Sequence, residues 1–209
     1  MEGGEGDDEY AVDEAGDRVI EAAGAGYDTV RSWTSYTLPA NVERLELLGA
    51  ADLSGTGNAG PNVLVGNAGA NRLDGRGGGD RLEGGPGDDT YVVDTPGDLV
   101  VEHDGEGIDR VVAHVDHALP ENVENLVLRG GAVRGRGNGL GNAIVGNALD
   151  NVLMGFDGGD LAYAYGRTGG FGGISLAQAQ DSLASPAFGH AMDPVRLFPA
   201  LPADAVRLA

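Results

Sequence analysis

The sequence predicts an all-β chain, a β-solenoid of short strands stacked coil upon coil, and two observations carry that prediction. The first is a nine-residue period. Four blocks stand end to end: GNAGPNVLV (57–65), GNAGANRLD (66–74), GRGGGDRLE (75–83) and GGPGDDTYV (84–92). Three more follow, GNGLGNAIV (137–145), GNALDNVLM (146–154) and GFDGGDLAY (155–163), and one stands near the start, GGEGDDEYA (3–11). Each block opens on Gly, carries Asp or Asn at its sixth position, and has Leu, Ile or Tyr at its eighth, except the last, where Ala162 stands. The second observation is a longer duplication. GDDEY at 6–10 returns as GDDTY at 87–91, and LPANVERLELLG at 38–49 as LPENVENLVLRG at 119–130, both 81 residues on. Fixed periods of this kind mark architectures built by stacking one unit on the next.

The geometry of a block follows from its positions. Three residues centred on the eighth form a short strand with the eighth side chain inward. The other six make a turn, for which glycine supplies the positive-φ conformations. Stacked turns then place Leu64, Leu73, Leu82 and Tyr91 in a narrow interior. With one turn per half-coil, Asn62 and Asp80 line one edge, and Asn71 and Asp89 line the other.

Composition narrows the function classes. The 38 glycines have no three-residue period, which excludes a collagen helix. Aromatic residues are only 5%, so the core must come from Leu, Val and Ile. The formal charge is −20, every basic residue is Arg, and the last 49 residues balance three Arg against three Asp, so the acidity lies in residues 1–160. Such a surface repels nucleic acid and anionic membranes and attracts cations. With no cysteine, disulfides and thiolate metal sites are excluded. The start has no basic region followed by an apolar run, and no stretch reaches the roughly 18 apolar residues of a membrane helix. Neither HExxH nor GxSxG occurs, so a zinc-protease site and a hydrolase nucleophile elbow of the usual kinds are absent.

The blocks resemble the hemolysin-type RTX repeat, G-G-x-G-x-D-x-U-x with U a large apolar residue. The resemblance extends over about 160 residues when the spacers are included. It implies a right-handed parallel β-roll that binds Ca²⁺ in its turns. By position, Asp80, Asp89, Asp8 and Asp160 match the side-chain ligands, and Gly75, Gly78, Gly84, Gly85 and Gly87 match the main-chain carbonyl ligands. Asn62, Asn71, Asn142 and Asn151 depart from Asp; they either give weaker half-sites or stack as Asn ladders. The chemistry agrees with the resemblance, since Ca²⁺ takes 6–8 oxygens, carboxylates and backbone carbonyls among them. Stacked carboxylates repel, and a divalent cation reverses the sign of that interaction.

In chain order, residues 1–56 hold the end of one repeat block and a spacer, and 57–92 the tandem RTX block. Residues 93–136 form a second spacer, 137–163 a second, Asn-rich and truncated block, and 164–209 a tail without repeats. The spacers read as longer strands: YVVD, DLVVEH, DRVVAHV and ENLVLRG. LP-NVE-L-L reads as a bend, with Pro39 and Pro120 at a strand start or edge. Asp13, Asp17, Glu21 and Asp28 recur as Asp94, Asp98, Glu102 and Asp109. Three carboxylates within ten residues have two readings, another Ca²⁺ site or the solvated face of a strand. The tail reads as poorly structured or partly helical, with SLAQAQDSLAS (175–185) as a short helix capped by Ser175. It occupies the place of the uncleaved export signal of RTX proteins, and degenerate sequence is the other reading.

The expected function is Ca²⁺ binding that folds a secreted bacterial protein, exported by a type I-like route, with no catalytic role of its own. The alternatives are an appendage of a larger secreted enzyme and an adhesin or surface-layer segment. Calcium ions, type I export machinery and self-association through repeats are the partners that the resemblance implies.

Overall fold

The computed structural model describes residues 1–163. The expectations for the tail 164–209 lie outside the described residues. Strands are the only regular elements among those residues. The first nine are β1 (Glu9–Val12), β2 (Thr29–Ser32), β3 (Tyr36–Thr37), β4 (Arg44–Leu47), β5 (Ser54–Thr56), β6 (Val63–Val65), β7 (Arg72–Asp74), β8 (Arg81–Glu83) and β9 (Thr90–Val93). The rest are β10 (Leu99–Val101), β11 (Arg110–Ala113), β12 (His117–Ala118), β13 (Asn125–Leu128), β14 (Arg134–Arg136), β15 (Ala143–Val145), β16 (Val152–Met154) and β17 (Leu161–Tyr163).

These strands form a parallel β-solenoid of about nine turns. One face is the six-stranded sheet β1-β2-β4-β6-β8-β10; the other is the eight-stranded sheet β3-β5-β7-β9-β11-β13-β15-β17. A three-stranded sheet, β12-β14-β16, alternates along the chain with β11, β13, β15 and β17, so it takes over the first face. Pairing is in strict register: Leu64 faces Leu82, Leu73 faces Tyr91, and Leu126 faces Ile144. The eighth-position side chains Leu64, Leu73, Leu82 and Tyr91 are fully buried. Inside this narrow solenoid even the strand centres are graded in size. A Cβ on Gly55 would meet Leu45 Cδ2 and Leu73 Cδ2, each at 3.1 Å, so only glycine fits there without a shift.

The spacers do not interrupt the stack. Their strands β2, β4, β11 and β13 are four residues long and pair directly with the nonapeptide strands on either side. Pro39 and Pro120 do not start strands. Each follows a two-residue strand, β3 or β12, inside a bend that Asn41 and Asn122 complete at φ 65 and 66. The strand expected at that proline would leave its missing N–H in the ladder, and the bend avoids this.

The 81-residue duplication has a geometric consequence. From β1 to β8 the chain makes nine half-coils, the single bridge at Ile20 counted as one, and from β9 to β17 nine more. Nine is odd, so every element of the second copy falls on the opposite face from its equivalent in the first. The strands β1, β2, β4, β6 and β8 lie in the six-stranded sheet, while their equivalents β9, β11, β13, β15 and β17 lie in the eight-stranded one.

Candidate metal centre

The residue that enters each strand sets the edge of the solenoid. Its N–H points along the stack, and in many coils a side-chain carboxylate of the next coil accepts it. Asn62 N donates to Asp80 Oδ1 (2.8 Å), and Asp80 N to Asp98 Oδ1 (3.1 Å). On the opposite edge Asn71 N donates to Asp89 Oδ1 (2.6 Å), Asp89 N to Asp109 Oδ1 (2.8 Å), and Asp109 N to Glu124 Oε2 (2.8 Å). Asp8 N donates to Asp28 Oδ1 (2.9 Å), and Asn142 N to Asp160 Oδ1 (2.9 Å). Asp28, Asp80, Asp89, Asp98, Asp109 and Asp160 thus each spend Oδ1 on the ladder, while Asp8, in the first coil, only donates to it. Oδ2 of Asp8, Asp28, Asp80 and Asp89 is buried without a hydrogen-bond partner. A buried carboxylate oxygen in that state is costly unless a proton or a cation joins it.

The glycines serve two separate purposes. Gly78, Gly85 and Gly87 have φ of 127, 77 and 133, the turn conformation expected of them. Gly75 and Gly84 do not. They are glycine because a Cβ there would overlap the free Oδ2 of Asp80 or Asp89, and at Gly84 also the Tyr91 hydroxyl. The first and sixth positions of a block are therefore one steric unit, a pocket over glycine filled by a carboxylate.

The Asn blocks close this pocket without a carboxylate. Asn62 Oδ1 accepts Asn58 N (2.7 Å), and its Nδ2 donates to Val42 O (3.0 Å). Asn71 Oδ1 accepts Asn67 N (2.7 Å), and its Nδ2 donates to Asn67 Oδ1 (2.9 Å). The second-position amides reach further: Asn58 Nδ2 donates to Pro39 O and Val42 O, and Asn67 Nδ2 to Leu48 O and Ala51 O. Asn138 and Asn147 repeat the pattern. Amide N–H groups thus sit against the carbonyls of the preceding turns. The signal was in the sequence: every block with Asn at its sixth position has Asn at its second, and no block with Asp does.

Asp80 and Asp89 lie on opposite edges and do not meet. Asp80 has Asp94 and Asp98 as neighbours; burial, reinforced by those charges, pushes its carboxyl up to about 6. Asp94 Oδ1 is also buried without a partner, and burial raises the Asp94 carboxyl too. Asp89 meets two spacer carboxylates. Oxygen atoms of Asp89, Glu102 and Asp109 all lie within 4.8 Å of one another, as do those of Asp8, Glu21 and Asp28. Burial pushes Asp89 up to about 7, Glu102 up to about 8 and Asp109 up to about 6, each reinforced by its acidic neighbours. The tyrosine hydroxyls of Tyr91 and Tyr10 donate to Glu102 and Glu21. Asp8 thus finds its partners downstream. The spacer carboxylates regroup as well. Asp94, Asp98 and Glu102 do not form one site, because the coil sends Asp98 to the edge of Asp80 and Glu102 to the edge of Asp89. Asp160 has the same ladder contact and a carboxyl raised by burial.

Residues 56–91 match, in four copies, the family described as RTX calcium-binding nonapeptide repeat. Residues 56–91 are RTX repeats. Two curated relatives from Rhizobium meliloti (strain 1021) are similar to part of the chain: the endo-1,3-1,4-beta-glycanase ExsH, 45% identical over 64 residues, and the endo-1,3-1,4-beta-glycanase EglC, 41% identical over 64 residues. Each match takes in 31% of this chain, and the chain spans 14% of each relative's length. No solved structure matches. Among the described residues, no helix is long and apolar enough to cross a membrane. The RTX match covers Thr56 to Tyr91 and hence Asp80, Asp89, Asn62 and Asn71; Glu102 and Asp109 lie beyond it.

Proposed function

We propose that the chain is a Ca²⁺-binding module of a secreted bacterial protein, and that cation binding drives its folding. The observation that carries this reading is the set of buried, unpartnered oxygens, Asp80 Oδ2 and Asp89 Oδ2, inside the RTX repeats. The residues present suit a hard cation: Asp80 Oδ2 and Asp89 Oδ2 are oxygen donors, and Gly75 and Gly84, lacking a Cβ, leave room for them. Calcium, when bound, would supply the positive charge these edges lack. Asp8, Asp80, Asp89 and Asp160 would each hold a separate ion, and the carbonyls of Gly75, Gly78, Gly84, Gly85 and Gly87 are assigned as main-chain ligands at the Asp80 and Asp89 edges. Asn62 and Asn71 contribute through their ladders, because their amides already have partners. Export by a type I-like route places the chain in millimolar Ca²⁺ only after it leaves the cell, so it folds there. A site held at 100 times its Kd adds about 2.7 kcal/mol.

The similarity to two glycanases over a small share of their length favours the appendage form of this reading. The repeats would then be the non-catalytic part of a larger secreted enzyme. Far-ultraviolet circular dichroism during a Ca²⁺ titration tests the proposal. The β signal rises with Ca²⁺ and falls on chelation; a protein equally β-rich in excess chelator contradicts it.

A further inference from the structure

We infer that each 81-residue unit carries a second kind of cation site, a carboxylate cage formed by Asp89, Glu102 and Asp109, and by Asp8, Glu21 and Asp28 in the first copy. The inference rests on the Ca²⁺ reading above and adds to it a ligand set that uses only one nonapeptide residue per cage.

Four observations carry it. First, the three carboxylates come from three separate segments, yet the fold brings their oxygens within 4.8 Å. Second, the second copy's three are deeply buried, Asp89 1% exposed, Glu102 7% and Asp109 1%, and in the first copy Glu21 at 9% and Asp28 at 0% are buried while Asp8 is half-buried. Third, Glu102 Oε2 and Asp89 Oδ2 have no partner, nor have Asp28 Oδ2 and Asp8 Oδ2. Among the described ion pairs, no arginine reaches either group. Fourth, the remaining oxygens are held in place by donors that leave the free ones unobstructed. Tyr91 donates to Glu102, Asp89 N to Asp109, and Gly84 N to the Tyr91 hydroxyl (2.8 Å). Tyr10 and Asp8 N do the same for Glu21 and Asp28.

Three buried carboxylates with one hydroxyl donor and no basic side chain call for a divalent or trivalent hard cation. The absence of nitrogen and sulfur donors favours Ca²⁺ over Zn²⁺ or Cu²⁺. The nine half-coils per unit put the two cages on opposite edges, before β1 and β2 in one case and before β9 and β11 in the other. They share no ligand, so they fill independently.

The test uses the full chain with Ca²⁺ in calorimetry and Tb³⁺ as a luminescent probe excited through tyrosine, since Tyr91 and Tyr10 touch the cages. Glu102→Gln and Glu21→Gln should each remove one ion from the stoichiometry, and the double variant two, with loss of the tyrosine-sensitised emission. Asp80→Asn should weaken the turn site yet keep that emission. In decalcified buffer the Gln variants should melt at or above the wild-type temperature, because a buried charge is gone and Gln still accepts the tyrosine hydroxyl. A double variant with wild-type stoichiometry and emission overturns the cage while leaving the repeat sites standing, and Gln variants that melt lower in decalcified buffer also overturn it. A wild-type chain that takes up no Ca²⁺ overturns both readings.

Discussion

Without calcium, the protein should become less stable as pH rises from about 5 to about 8, the reverse of most proteins that rely on paired carboxylates. The perturbed groups are Asp80 and Asp109, pushed up to about 6, Asp89 to about 7 and Glu102 to about 8. Their pKa values are raised on folding. Their favourable contribution is therefore complete below the unfolded carboxylate range near 4 and is lost as pH climbs through 6 to 8. A tenfold change in proton affinity corresponds to about 1.4 kcal/mol. Hydration at the solenoid edge and the coupling among these groups discount a simple sum, leaving a loss on the order of 3 kcal/mol between pH 5 and pH 8. Thermal unfolding in decalcified buffer, followed by circular dichroism across that range, measures it. General repulsion within a −20 chain has the same sign, so two comparisons separate the causes. Combining Asp80→Asn with Glu102→Gln should flatten the slope, whereas Glu5→Gln with Glu14→Gln, both exposed, should leave most of it. An unfolding midpoint that is flat or rising from pH 5 to 8 refutes the reasoning, as does an equal effect of the two pairs.

Three further predictions concern the glycine pockets, the Asn turns and the core. Gly84→Ala places a methyl on Asp89 Oδ2 and the Tyr91 hydroxyl and should cost about 1–3 kcal/mol in urea unfolding. Gly131→Ala, with open space and no positive φ, should be neutral or stabilise by about 0.4–1 kcal/mol. Asn71→Asp removes the amide donor to Asn67 and adds a buried charge. It should lower the melting temperature in chelator, and excess Ca²⁺ should recover more of that loss than it does in the wild type. Leu73→Ala empties a fully buried position stacked between Gly55 and Tyr91 and should cost about 2–5 kcal/mol, read from the urea midpoint with Ca²⁺ present.

The period of nine made the stack, its inward residues and its two edges legible in the sequence. Leu64, Leu73, Leu82 and Tyr91 could be placed because a strand alternates faces and each block repeats its register. The reason for the first glycine was not legible. Gly75 and Gly84 look like turn glycines, and only the fold shows that Asp80 and Asp89 fill the space of a Cβ. The cage was half legible. Glu21 and Asp28 recur as Glu102 and Asp109, but sequence proximity grouped Glu102 with Asp94 and Asp98. Coiling separates neighbours in sequence and joins residues 20 apart, so the correct trio, Asp89, Glu102 and Asp109, follows from coil length and not from spacing along the chain. The pairing of Asn58 with Asn62 was written plainly in each GNxxxN block.

The central claim is that buried carboxylates wait at the solenoid edges for a cation, and calorimetric Ca²⁺ titration near pH 7.5 in buffers of different ionisation enthalpy tests it most directly. Asp89 and Glu102, raised to about 7 and about 8, are partly protonated there, so uptake should be saturable and should release protons, making the heat buffer-dependent. No saturable uptake, or uptake with the same heat in every buffer, would contradict the account.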